Sequence, residues 1–347
     1  MHLIQFEIKG QGRRLGINAD GTVLDITSRR PEWTRVVEAF HAAERENVPL
    51  QKVLQQESKE IRQLFKFVDL WKNADLNDGP VLRPPVDHAD PHCVFVTGTG
   101  LTHTGSMQSR DQMHAKLATE DEAHISDSRK MFLMGLREGR PASGKRGVAP
   151  EWFYKGNGSI LRAHREPLDI PSFALDGGEE PELVGCYVID AKGTPRRLGF
   201  TLSNEWSDHA TEEINYLYLA PSKLRTCSFG PELILNHDFR SIELFCNVTR
   251  NGETIYDSEK LLSGEEHMTH TLANLEDHHF KYPQHRIPGD IHLHFFGTSK
   301  LSHSTRKWKY QTGDTIQIQA PDFSAPLINT VRQLEGDALK PVGVEPV

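Results

Sequence analysis

Residues 177–231 read GGEEPELVGCYVIDAKGTPRRLGFTLSNEWSDHATEEINYLYLAPSKLRTCSFGP. On an extended chain alternate side chains share a face, so Glu180 and Glu182, two residues apart, point the same way. Two carboxylates that close repel each other and are raised in pKa unless a cation sits between them. A hard divalent ion is the natural third party, and an oxygen-only donor set favours Mg²⁺ or Mn²⁺ over Zn²⁺. Gly199-Phe200-Thr201-Leu202 reads as a buried strand whose end delivers Glu205 through Ser203-Asn204. A second strand thus brings a third carboxylate toward the same ion, and Lys223, ahead of Gly230-Pro231, adds an amine. Solvated loops also contain such acidic pairs, so the reading turns on the order of the residues around this one.

Outward from that stretch, the pattern after Pro150 is one of many short strands broken by Gly, Pro and Asn-Gly turns, the signature of a mainly β region. Asn251-Gly252, between Phe245–Thr249 and Glu253–Tyr256, is a strong hairpin signal. Asp290–Phe296 alternates as a strand with one apolar face, and Met268–Phe280 reads as a helix packed on the sheet. Upstream, His92–Gly98 is a short apolar strand followed by a glycine-rich turn over 97–106. That turn lacks the Lys-Ser/Thr of a phosphate loop. Its His103 is a candidate general acid or base, because imidazole titrates near working pH, or else an ordinary loop histidine. Residues 106–139 are charged and helix-prone, either a lid over substrate or an amphipathic helix, and Arg110 there is a candidate contact for a substrate carboxylate or hydroxyl.

Residues 1–85 read as a small leading α+β domain and 86–347 as the second. His2–Ile8 and Arg14–Ile17 alternate as strands around an Asn18–Gly21 turn, and Trp33–Glu46 and Val53–Lys66 have helical apolar spacing. The chain has 347 residues, 37% hydrophobic and 25% charged, enough for a well-buried core. A net charge of −8 argues against nucleic acid as a main partner, since phosphate binding needs a basic footprint. No run approaches the roughly 20 apolar residues of a membrane span, and no signal pattern opens the chain, so a cytoplasmic protein with no membrane partner is expected. Cys93, Cys186, Cys227 and Cys246 show no Cys-x-x-Cys spacing and are expected to be reduced. His267-x-x-His270 and His278-His279 lack a third zinc ligand at recognisable spacing.

Taken in order, Glu180-x-Glu182, Gly199-Phe200 leading to Asn204-Glu205, Lys223, Gly230-Pro231, Pro288-Gly289-Asp290 leading to Gly297-Thr298, Gly313-Asp314 and Asn329-Thr330-Val331 resemble the fumarylacetoacetate hydrolase superfamily over most of residues 90–332. The resemblance implies a mixed β-sandwich or β-roll catalytic domain with a small α+β domain ahead of it, and a homodimer. It implies Mg²⁺ (Mn²⁺ in its place being possible) on Glu180, Glu182 and Glu205, Lys223 as proton carrier lowered toward neutrality, and Gly297 and Thr298 holding the substrate carboxylate. Lys155, in an aromatic-basic segment, is either a substrate contact or solvated. Three departures stand out: Asn-Glu replaces the family's Asn-Asp, His209 stands where an arginine is frequent, and Lys223 lies close to its Gly-Pro. Together they point to the sugar-acid branch, similar to the 2-keto-3-deoxyarabinonate and 2-keto-3-deoxypentonate dehydratases. The implied reaction is loss of water from a small 2-keto-3-deoxy acid to give 2,5-dioxopentanoate in non-phosphorylative pentose catabolism. Two other readings stay open: a hydrolase cleaving a C–C bond in a 2,4-diketo acid, and a non-catalytic sugar-acid binding protein.

Overall fold

The two acid-bearing segments are neighbouring strands. In the computed structural model, which describes residues 1–62, 64–105 and 126–347, Pro181–Ile189 and Pro195–Asn204 pair antiparallel, with Pro181 opposite Asn204 and Glu182 opposite Ser203. Every residue of Pro181–Ile189 is buried, so this strand is covered on both faces. Ile291–Phe295 pairs antiparallel on its other side, and Val94–Gly100 continues parallel to that. Among the described residues, this sheet has 13 strands and a second has 6, among them Ile242–Arg250, Thr315–Gln319 and Leu327–Gln333. One apolar core lies between the sheets, where Leu183, Tyr187 and Phe200 meet Leu244, Val248 and Ile316. Another lies beneath the helices Val36–Glu46 and Leu50–Ser58, and a smaller one gathers Ile4, Phe6 and Phe67. This is the expected mainly β architecture. Among the described residues, no helix is long and apolar enough to cross a membrane.

The leading segment is built into the same sheet. His2–Ile8 pairs with Gly12–Ala19 on one side, and its Leu3 lies opposite Leu233 on the other. Leu3 and Leu15 share a core with Val184 and Leu293, so sheet and core both cross the boundary placed near residue 85. The helix expected over Val53–Lys66 ends at Ser58, and Leu64–Lys66 is instead a strand against Thr22–Leu24. The spacing of Ile61, Leu64 and Phe65 suits either state. Tertiary pairing decides, with Phe65 set edge-on to Phe6 at 5.4 Å. The helix expected from Met268 begins at Leu272, where the Thr271 side chain accepts from the Asn274 amide at 3.1 Å and so caps it. Asn251 and Gly252 both have positive φ, 52° and 85°, as a tight hairpin requires.

The histidines of Ile291–Phe295 are core residues. His292 Nδ1 meets His279 Nε2 at 2.9 Å, and His294 Nδ1 meets the Thr97 hydroxyl at 2.8 Å. Burial pushes both His292 and His294 down to about 3, and His164 likewise. All four cysteines are free, and three are buried.

A group held neutral in the folded state but protonated when unfolded takes up protons on unfolding, so its contribution is lost as pH falls. The window runs from about 6.5, the unfolded value, down to about 3, at up to about 1.4 kcal/mol per pH unit per group. We therefore expect the denaturant midpoint to decline steadily below pH 6.5. A flat midpoint between pH 6.5 and 4 would contradict the buried, neutral state of these histidines.

Candidate metal centre

Glu180, Glu182 and Glu205 are each at most 6% exposed. They meet at the ends of the two paired strands, where each offers an oxygen within 4.8 Å of the others. Backbone geometry sets this convergence: the Glu205 amide donates to the Glu180 carbonyl, and the Glu180 amide to Asn204 Oδ1, both at 3.1 Å. Glu179, between Gly178 and Glu180, takes the opposite face, as strand alternation requires. Its carboxylate accepts from the Ser302 amide at 2.6 Å, the Ser302 hydroxyl at 2.8 Å and the Tyr310 hydroxyl at 2.6 Å.

The trio is embedded among cations. Lys223 Nζ donates to Glu180 Oε1 and Glu205 Oε2 at 2.5 Å each and to Ser207 Oγ at 3.1 Å, which occupies its three hydrogens. Lys155 Nζ lies 2.6 Å from Glu205 Oε1 and donates to the carbonyls of Trp206 and Lys223 at 2.6 and 3.0 Å. His209 Nε2 sits 2.9 Å from Glu180 Oε1. Gly297 N–H donates to Glu182 Oε2 at 2.8 Å. Gly297 has φ of +90°, and a Cβ there would lie 2.8 Å from Thr102 Oγ1, so only glycine presents its amide this way.

Charge follows from these contacts. Burial alone would push Glu180 up, but Lys223 and His209 hold it well below the carboxylate range. Burial, then Glu180 and Glu205, push Glu182 well above it. Burial and Glu180 also raise Glu205, opposed by Lys155 and Lys223, and an ammonium on each of its oxygens favours the ionised form. Three carboxylates against two ammonium groups leave one net negative charge, which a proton on Glu182 cancels. Three convergent oxygens with one proton to displace fit a hard divalent cation. Mg²⁺ or Mn²⁺ suits this donor set, and Lys223 is the positive charge that bridges two of its members here. The lysine is not lowered toward neutrality as expected. Burial acts in that direction, but Glu180 and Glu205 overcome it and raise Lys223 well above its ordinary value.

A cavity of about 500 Å³ opens over Glu180, lined by Lys223, His209, Gly297, Thr298, Lys300 and His303, with Glu151, Glu212, Glu213 and Tyr216 along other walls. Gly297 and Thr298 line it, with their donors engaged: Gly297 N–H with Glu182, and the Thr298 hydroxyl with the Pro181 and Lys300 carbonyls at 3.1 Å. Lys155 is neither solvated nor a cavity group. It is fully buried beneath the site as the counter-ion of Glu205. His103 is also corrected. It is fully buried and lies behind Gly297, off the cavity wall, with Nε2 3.2 Å from Ser263 Oγ, and burial pushes it down to about 3. Arg110 and the lid considered for its segment fall outside the described residues.

Sequence reasoning noted His209 but gave it no role, and missed His303 and Glu213. His209 had a local signal in Gly177-Gly178. A Cβ on Gly178 would lie 2.1 Å from His209 Nδ1, and one on Gly177 would lie 2.2 Å from Trp206 Cζ2. Only a bare backbone admits both rings.

No protein-family model matches the sequence, and no curated protein matches it. Its fold is shared with solved structures at low identity. A 2-keto-3-deoxy-D-arabinonate dehydratase complexed with magnesium and 2,5-dioxopentanoate is 18% identical, with a TM-score of 0.67 over 97% of this chain and 100% of the other. A 5-carboxymethyl-2-hydroxymuconate delta-isomerase from Mycobacterium smegmatis is 16% identical, with a TM-score of 0.53 over 97% and 100%. A 2-hydroxyhepta-2,4-diene-1,7-dioate isomerase from Mycobacterium marinum is 15% identical, with a TM-score of 0.54 over 96% and 98%. These neighbours carry the fold expected from the motif order.

Two measurements test the site. Glu182→Gln keeps the shape of a protonated carboxyl, so the melting temperature of the metal-free protein should stay within a few degrees. Mg²⁺ affinity by calorimetry should meanwhile fall by at least about a hundredfold. For the intact protein, metal entry must expel the Glu182 proton, so affinity should weaken as pH falls. Calorimetry in buffers of different ionisation enthalpy should then register about one proton released per Mg²⁺ at neutral pH.

Proposed function

We propose that the chain is a Mg²⁺-dependent hydro-lyase acting on a small 2-keto-3-deoxy sugar acid, with 2-keto-3-deoxypentonate to 2,5-dioxopentanoate as the reaction. The observation that carries this is the convergence of Glu180, Glu182 and Glu205 beside a cavity of about 500 Å³ whose wall includes Glu180 and Lys223. The fold is one on which a neighbour's structure contains magnesium and that same dioxo acid, which supports the choice of reaction. Glu180, Glu182 and Glu205 would hold the ion, and when bound it polarises a 2-oxo group and stabilises negative charge developing there. A divalent ion in place of the Glu182 proton leaves these five side chains with one net positive charge, which suits an acid with a single carboxylate.

Dehydration moves two protons: one leaves C3, and one joins the C4 hydroxyl as it departs as water. Lys223 enters as an ammonium, so its part is on the donating side. Facing the cavity, it offers its proton to the departing hydroxyl while its charge offsets Glu180 and Glu205. Thr298 and Gly297 form the wall against which the substrate carboxylate lies, and Lys155 keeps Glu205 ionised from below. A homodimer in cytoplasmic pentose catabolism completes the reading.

Hydrolysis of a 2,4-diketo acid is the second reading. It needs a histidine and an acid to position water, and His303 Nε2 stands 3.1 Å from Glu213 Oε1 at the cavity. Incubation with Mg²⁺ and each substrate class separates the two, since the dehydratase forms a semialdehyde and the hydrolase pyruvate. In the Lys223→Ala variant we expect Mg²⁺ binding to persist while dehydration slows by about 10²- to 10⁴-fold. Turnover at the unmodified rate would remove Lys223 from the proposed chemistry.

A further inference from the structure

The dehydration scheme leaves the C3 proton without an acceptor, and Lys223, with three hydrogens engaged and none to spare a lone pair, does not supply one. The segment after Thr298 does. The turn Ser302–Ser304 is held to the approach of the acid-bearing strand at two places. Ser302 gives its amide and its hydroxyl to Glu179, and Arg306 reaches Asp176 Oδ2 and the Gly177 carbonyl at 2.9 and 2.6 Å. Between these anchors His303 lies at the cavity, its side chain 13% exposed. Its ring centre is 5.2 Å from that of His209, which itself touches Glu180. Glu213, on the helix His209–Ile214, comes within 3.1 Å of Nε2. A loop anchored twice to the approach of one strand, with its imidazole at the cavity and a carboxylate beside it, is a built position rather than a surface accident.

We infer that His303 is a further catalytic residue, the base that takes the C3 proton of the substrate, with Glu213 orienting its ring and Glu179 positioning the turn that carries it. The inference rests on the dehydratase reading. In the step, an imidazole nitrogen bonds the C3 hydrogen and the C3–H electron pair becomes the carbon–carbon double bond. The C4–O pair leaves with oxygen, which takes a proton from the Lys223 ammonium and departs as water. Tautomerisation of the resulting 5-hydroxy-2-oxopent-3-enoate gives 2,5-dioxopentanoate; His303 returns its proton to solvent and Lys223 regains one, so the enzyme ends as it began. The groups facing His303 are His209, Glu213 and Arg306; burial, then His209, lower its pKa, while Glu213 raises it. A neutral imidazole is thus maintained near neutral pH, as a base requires.

The test uses the Mg²⁺-loaded protein and two substrates, 2-keto-3-deoxypentonate and 2-oxopentanoate, which has no C4 hydroxyl to lose. In D₂O the wild-type protein should exchange C3 hydrogens of 2-oxopentanoate, followed by proton NMR. His303→Gln should lower both this exchange and dehydration by about 10²- to 10⁴-fold, with Mg²⁺ affinity and melting temperature retained. Exchange at the wild-type rate in His303→Gln, with the wild type active, overturns the inference alone. A wild type that neither exchanges nor dehydrates overturns the dehydratase reading instead. Should His303→Gln fail to fold, Glu213→Gln carries the test. Removing that carboxylate lowers the imidazole pKa, so the acid limb of kcat/KM should move to lower pH, and an unmoved limb overturns the inference.

Discussion

Three carboxylates buried at one point are the constraint around which the rest of the molecule is arranged. Removed from water, such groups are costly unless each ion meets an opposite charge and its lone pairs meet donors. The fold answers with two lysines from different elements. Lys155 comes from the strand Glu151–Asn157, and Lys223 from the end of the short helix Leu219–Lys223. The Gly297 amide and the Ser207 hydroxyl supply further donors. Because the partners come from distant parts of the sequence, the site exists only when the larger sheet and the short helix that carries Lys223 are in place. That arrangement also explains why the pocket stays near electrical balance before a cation arrives.

What was legible in the residues was whatever depends on local geometry. Period-two alternation puts Glu180 and Glu182 on one face without knowledge of anything else, and an apolar run ending at Asn204-Glu205 delivers the third acid. Contacts between distant segments were not legible. The aromatic-Lys context of Lys155 gives no hint that a strand will carry its amine under Glu205. His103 sits in a glycine-rich turn that looks exposed on paper, yet the bridge from His103 to Met268 buries it. The charge of Lys223 turns on the same kind of contact: a bound cation and burial lower an amine, two carboxylates at 2.5 Å raise it, and those distances are not written in the chain. The Leu64–Lys66 strand was misread because a short edge strand and a helix tail present the same apolar spacing.

Glycine marks where backbone must yield to something else. Gly177 and Gly178 make room for Trp206 and His209, and Gly297 turns its amide toward Glu182. Each of these gives way to a side chain of the site, so the glycines are as specific to the chemistry as the acids they stand beside.

The segment entering at Gly178 works in two directions, its odd member Glu179 gripping the Ser302 turn while its even neighbours Glu180 and Glu182 join the acidic cluster. Parity, not residue type, assigns those duties. Losing or gaining one amino acid between Gly178 and Pro181 would exchange them, sending a cavity acid into the turn and the anchor into the pocket. An insertion or deletion in this short run would therefore undo the site, whereas one in an exposed hairpin such as Asn251-Gly252 leaves this register untouched.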